Sequence, residues 1–188
     1  VLKSQSDAVR DFLFQTSILD RLHASLCNAV TGRDDSQMMI EQLERSNMLI
    51  IPLDNQRQWY RYHHLFAEVL QIHARKTMPD QISLWQKEAS FWYEQNGFRS
   101  YAIHTAFAAG DLERAAELVE RTWPEMFYGV RPMIWLDWAL QIPDEMVHVR
   151  PVLSAACAWI LLDKGELETA EVYLQHVTEW LTLVHGNY

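Results

Sequence analysis

Trp59-Tyr-Arg-Tyr-His-His-Leu-Phe-Ala-Glu-Val-Leu70 decides how the rest of the chain is read. Its aromatic opening suits a strand, and the apolar residues that follow at helical spacing suit a helix joined to it without a linker. Met48-Leu-Ile-Ile-Pro-Leu-Asp54 predicts a partner strand, with the turn at Asn55-Gln56. The tandem pair His63-His64 falls where strand becomes helix. A helix start carries unpaired N–H groups and a partial positive charge, so this junction is suited to meeting an anion.

Upstream, residues 8–15 predict a short helix with Phe12, Leu13 and Leu19 as core anchors. Asp20 predicts the cap of a second helix reaching Ala29, and Ser36 the cap of a third reaching Arg45. Three helices, a hairpin and a helix are the order of a winged helix-turn-helix. The fold class read from the chain is mainly α: a winged helix-turn-helix domain over 1–78, then tetratricopeptide-like α-hairpin repeats over 79–188.

Pro79 opens the second part, in keeping with proline at the first position of a helix. Helices are predicted over 82–96, 100–109, 112–121, 131–141, 151–164 and 166–183, with Trp123-Pro124 expected to close the third of these. Gly97, Gly110 and Gly165 are each followed five residues later by alanine: Ala102, Ala115 and Ala170. Glycine ends one helix in a left-handed turn, and the small residue lets the next helix approach closely.

Charge separates the two parts. Residues 1–80 hold 9 Lys+Arg against 10 Asp+Glu, and residues 81–188 hold 7 against 15. The acidic second part is unsuited to duplex binding, which depends on neutralising phosphates. The expected recognition helix carries Asp35, Glu41 and Glu44 against Arg45, and Arg57 and Arg61 are the only basic pair on the hairpin. No direct DNA binding is expected of this stretch. No apolar run approaches the ~18 residues of a membrane span, and the start at Val1 has no signal-peptide pattern. Cys27 and Cys157 read as separate buried thiols. A cytoplasmic location and no membrane contact follow as expectations, and the chain reads as a fragment of something longer.

No two glycines are closer than 13 positions, so no phosphate-cradling loop exists here. His-Glu-x-x-His and Gly-x-Ser-x-Gly are absent, and the expectation is of no catalytic residue, no metal and no cofactor within this stretch. Glu117 and Arg121 read as a solvated i,i+4 pair. Trp135 and Trp138, with Asp137 between them, read either as packing residues or as an effector or protein surface. His63 and His64 read as one buried and one surface histidine, or as a donor to a phosphate oxygen.

Phe12-Leu-Phe-Gln-Thr-Ser-Ile-Leu-Asp-Arg-Leu22, Leu26-Cys-Asn-Ala-Val30, Leu43-Glu-Arg-Ser-Asn47 and Trp59-Tyr-Arg-Tyr-His-His-Leu-Phe66 resemble the large ATP-dependent LuxR-type transcription activators, the maltose-regulon activator family. The resemblance implies a P-loop ATPase upstream, then this winged helix and the first hairpins of a tetratricopeptide-like sensor, then a DNA-binding helix-turn-helix. It implies ATP/ADP with Mg for the full-length protein, the upstream ATPase and downstream sensor and DNA-binding domains as partners, and a small-molecule inducer or inhibitory protein. In related ATPase switches a Met-His-Asp motif touches the β-phosphate of ADP. Tyr62-His63-His64 is similar, with Tyr62 for Met and His64 for Asp; the resemblance thus implies nucleotide sensing by His63 and Arg61.

Overall fold

Helix α1 (Asp7–Thr16) starts at Ser6, whose Oγ accepts the Val9 N–H at 3.4 Å. Strand β1 (Leu22–His23) follows, then α2 (Ala24–Thr31), α3 (Ser36–Arg45), β2 (Ile50–Pro52), β3 (Trp59–Tyr62), α4 (His64–Thr77), α5 (Pro79–Gln95) and α6 (Arg99–Ala108). The remaining elements are α7 (Leu112–Tyr128), α8 (Pro132–Ala139), α9 (Asp144–His148), α10 (Pro151–Asp163) and α11 (Leu167–His185). This is a computed structural model, and it describes residues 5–46, 49–128 and 132–185. Met48 and Arg131, expected to begin a strand and a helix, lie outside the described residues. The chain divides into two compact units, Val1–Gly110 and Asp111–Tyr188.

The first unit is a winged helix with a helical hairpin packed on it. Its sheet is antiparallel in the order β1-β3-β2, with Leu22 opposite Tyr60 and Ile50 opposite Tyr62. Pro52 sits on an edge strand, where its missing N–H costs no ladder bond. The hairpin closes through Leu53 N–H to the Trp59 carbonyl at 2.8 Å. Asp54 accepts the N–H groups of Gln58 and Trp59, at 3.1 and 2.7 Å. Tyr60 and Tyr62 face the core, where Phe12, Leu13, Leu26, Ile40 and Leu70 are fully buried. Arg61 points to the opposite, exposed side, as strand alternation requires.

Two expected caps differ. Asp20 caps nothing, because Leu22 and His23 are used in β1; the cap of α2 is His23, whose Nδ1 accepts the Ser25 N–H at 3.3 Å. Ser36 is the first residue of α3, buried and with an unpartnered Oγ. Its N–H donates to Asn28 Oδ1 at 3.1 Å, while Asp35 is held by the Arg33 guanidinium at 2.6 and 2.7 Å.

The boundary expected after residue 78 coincides with the α4–α5 junction, yet the first compact unit continues to Gly110. The reason is aromatic. Trp59 of the wing lies 6.3 Å from Trp92 and 5.6 Å from Phe98 between ring centroids, and His23 lies 4.9 Å from Trp59 and 5.8 Å from Trp92. Such ring pairs contribute about 0.5–1.5 kcal/mol each beyond their buried area. The α5–α6 hairpin therefore shares a core with the winged helix.

In the second unit, α10 and α11 form a hairpin through Gly165, and α7 packs on α8. Arg150, just ahead of α10, pairs with Glu120 at 2.9 Å and with Glu113, both on α7. Gly97, Gly110 and Gly165 have φ of +79°, +70° and +79°, and the alanines five residues on are fully buried. Both halves of the Gly–Ala spacing are thus present in three places. Pro124 does not close α7, which runs through it to Tyr128. Its ring cannot donate to the Glu120 carbonyl. One residue earlier, the Val119 carbonyl accepts from Thr122 Oγ1 at 2.7 Å and Trp135 Nε1 at 2.8 Å.

Candidate functional site

The junction of β3 and α4 is built by backbone hydrogen bonds on both sides of His63. Its N–H donates to the Leu49 carbonyl at 2.7 Å, and its own carbonyl accepts from Phe66 and Ala67, each at 2.9 Å. The backbone is fixed, but the ring is half-buried. That ring packs on His64, with centroids 4.4 Å apart, and makes no hydrogen bond among the described residues. His63 occupies the cap position of α4 without a side-chain cap bond, so beyond its carbonyl it gives the first turn of this 14-residue helix no further acceptor. Arg61, two residues earlier on the outward side of the strand, is exposed and has no ion pair among the described residues. Arg61, His63 and the start of α4 form a donor-rich corner.

Tyr62, between them, is buried and its hydroxyl lies 2.7 Å from Thr16 Oγ1. Burial pushes its phenol well above the ordinary tyrosine range. This side chain anchors the corner to the core and does not reach it from outside.

Two of the other basic residues near the wing are paired with carboxylates. Arg45 donates to Glu41 at 3.0 Å, and Arg57 lies 3.4 Å from Glu44. Glu44 also accepts from the Tyr60 hydroxyl at 3.5 Å. Exposed pairs of this kind add little stability, but they leave the α3 face without a surplus of positive charge. Glu117 and Arg121 lie 3.7 Å apart and exposed, as a solvated face would be.

The tryptophans proposed for an effector surface do not form one. Trp135 is 0% exposed and Trp138 is 3% exposed; Asp137 alone of the three faces solvent. Trp135 sits 4.9 Å from Trp123, with its N–H spent on Val119. A binding platform needs an open ring face, so the packing alternative holds for both. Open aromatic surface exists elsewhere in the same unit. Trp159 and Trp180, 44% and 37% exposed, line a cleft of about 580 Å³ with Trp123, Val152 and Ala155. Periodicity misses it because α10 is apolar on most sides.

A polar cleft of about 450 Å³ lies in the first unit, where the end of α1 meets α4, α5 and α6. Its rim carries Gln71, Arg75, Ser83 and Gln86. These residues are scattered over two helices with no motif spacing, so sequence reading passes over them. Among the described residues no cluster of His, Cys, Asp or Glu is arranged to hold a metal ion, and no helix is long and apolar enough to cross a membrane.

Comparison with known proteins decides the family. Residues 1–82 match the family described as MalT winged helix domain. This stretch of the chain belongs to the MalT winged helix domain family. The HTH-type transcriptional regulator MalT of Vibrio cholerae is 31% identical over 154 residues, covering 82% of this chain and 17% of that protein. MalT of Klebsiella pneumoniae is 31% identical over 194 residues, covering 100% of this chain and 21% of its own length. The serine/threonine-protein kinase PknK of Mycobacterium tuberculosis is 28% identical over 166 residues, covering 87% of this chain and 15% of that protein. The chain therefore spans about a sixth to a fifth of the length of these relatives. The resemblance read from residues 12–66 is borne out, and the chain corresponds to a winged helix and helical arm of a MalT-like regulator.

Proposed function

We propose that this MalT-like chain is the regulatory segment of a bacterial ATP-dependent, inducer-responsive transcription activator, acting in the cytoplasm. Its winged helix stabilises the ADP-bound resting state of an ATPase domain in the same protein. Its tetratricopeptide-like arm, taken as residues 79–188, relays effector binding. The observation that carries this reading is the corner at His63: a fixed backbone, a ring and an Arg61 guanidinium without hydrogen-bond partners among the described residues, and the start of α4, within a stretch that matches the MalT winged helix domain. Each of these groups favours a phosphate oxygen. ADP and effector then bias one two-state equilibrium through their different affinities for the two states. ATP/ADP with Mg, the ATPase, sensor and DNA-binding domains, and an inducer or inhibitory protein are the ligands and partners of this reading.

The test is His63→Ala in the full-length protein. A hydrogen bond to a charged group is worth roughly 1.5–3 kcal/mol, so ADP affinity falls about 10–100-fold, and basal transcription rises. Unchanged ADP affinity with unchanged basal transcription rejects the assignment.

A second reading is a helical-repeat interaction scaffold without nucleotide coupling. It is favoured by the PknK match, since that protein is named a kinase and not a transcriptional regulator, and by the open Trp159–Trp180 cleft. Capture of the isolated ATPase domain, with and without ADP, separates the two: the first requires ADP dependence and the second does not.

A further inference from the structure

The geometry points to a second, effector-type site in the first unit: the cleft rimmed by Arg75 and Gln86, which takes a small organic anion, a carboxylate or a phosphate ester. Its volume of about 450 Å³ falls in the range of small-molecule sites, roughly 300–1,000 Å³. It is adjoined by a hollow of about 260 Å³ that shares Ile18, Gln86 and Ala108 with it. The second hollow is walled by Tyr93 and Tyr101, whose rings stack 5.3 Å apart.

Hydrogen-bond accounting selects the charge of the ligand. Gln71 gives one of its two Nε2 protons to the Ser17 carbonyl at 2.9 Å, and Ser83 spends its hydroxyl proton on the Ala109 carbonyl at 2.7 Å. The Arg75 guanidinium and the Gln86 carboxamide have no partner among the described residues, although both line the cleft. The unspent charge of the rim is therefore the guanidinium fork, which matches a carboxylate or phosphate in two parallel bonds, and the Gln86 carboxamide can turn either its N–H₂ or its oxygen to the ligand. Ile18, Ala74, Ile82 and Ala108 supply the apolar floor against which the body of such a molecule packs. Asp20, which lines the second hollow and not the first, disfavours an extended polyanion and favours a single anionic head.

Placement gives the site a consequence. Its walls come from the winged helix, through residues 17–18 and α4, and from the hairpin, through α5 and α6. An occupant braces one against the other at the opposite end of α4 from the His63 corner. The site stands whether or not His63 senses nucleotide.

The test is calorimetric titration of the 188-residue chain with benzoate, glucose 6-phosphate and inorganic phosphate. The expected result is one saturable site for benzoate or glucose 6-phosphate, with inorganic phosphate at least about tenfold weaker because it lacks a body to fill the floor. Loss of a charge-assisted bond in Arg75→Ala weakens the organic anion by about tenfold or more. Gln86→Leu weakens it less, and Arg45→Ala, an exposed cation on α3, leaves it unchanged. Arg75 is exposed, so its removal does not threaten folding; matching melting temperatures verify this. Absence of saturable binding by both organic anions overturns the proposal. So does an affinity indifferent to Arg75→Ala, or inorganic phosphate binding as tightly as the organic anions.

Discussion

Tyr62 and Thr16, 46 positions apart, share a hydrogen bond of 2.7 Å inside the core, and its direction is fixed by a third group. Thr16 Oγ1 donates to the Phe12 carbonyl at 2.6 Å, so the Tyr62 hydroxyl is the donor to Thr16. The strand that carries the His63 corner is thus tied to the end of α1.

Tyr62→Phe removes the donor and leaves Thr16 bonded to Phe12, so it costs about 1 kcal/mol. Thr16→Val leaves the phenol O–H buried with nothing to accept it, at about 1–3 kcal/mol. Urea denaturation of the two variants is expected to rank Thr16→Val as the more damaging. The reverse order would show that the bond runs the other way.

Stability is expected to fall on both sides of a plateau in pH. Burial pushes the Cys27 and Cys157 thiols up to about 12, from an ordinary value of 9.0. Between those values the unfolded chain sheds protons that the folded chain keeps, so alkali favours unfolding. At pH 10.5 Cys27 alone accounts for on the order of 2 kcal/mol. On the acid side, burial holds His23 below the ordinary histidine value, against the pull of Asp54. Its contribution is present above about 6.5 and is lost as pH falls toward its folded value. Melting temperatures at pH 5.5, 8 and 10.5 check this; no loss at 10.5 would mean the thiols ionise without unfolding.

Trp135→Phe gives up the bond to Val119 and part of a fully buried side chain. The second unit is expected to lose about 2–3 kcal/mol, measured by its urea midpoint. A ring held for ligand binding at a surface would give no such loss.

Element order was legible where the physics is local. The alternation in Trp59–Tyr62, proline at position 79 and the glycines at 97, 110 and 165 each act through their own backbone, and each lies where the sequence predicts. β1 was not legible, because two residues carry no period, and its presence moved the cap of α2 from Asp20 to His23. Trp-Pro at 123–124 misled for a tertiary reason: α7 continues past it while side chains from Thr122 and Trp135 bond the neighbouring carbonyl. At the candidate sites, the position of His63 followed from the strand-to-helix switch. The burial of Trp135 did not, because i,i+3 spacing says which residues share a face and not whether that face is covered. The Arg75 cleft is closed on the consecutive helices α4 and α5 by Ser17, Ile18 and Ala108 from elsewhere in the chain, and leaves no local trace.

The aromatic seam between His23, Trp59, Trp92 and Phe98 bears on how this module can be transplanted. A chimera joined after residue 82, where the family match ends, would carry the wing away from half of its rings and leave Trp59 open to water and to other chains. One joined at Gly110 would move the wing with the hairpin that completes it. The heritable part, on this view, is larger than the winged helix: recombination that respects the seam can exchange partner domains freely, and recombination that cuts it yields a sticky remnant.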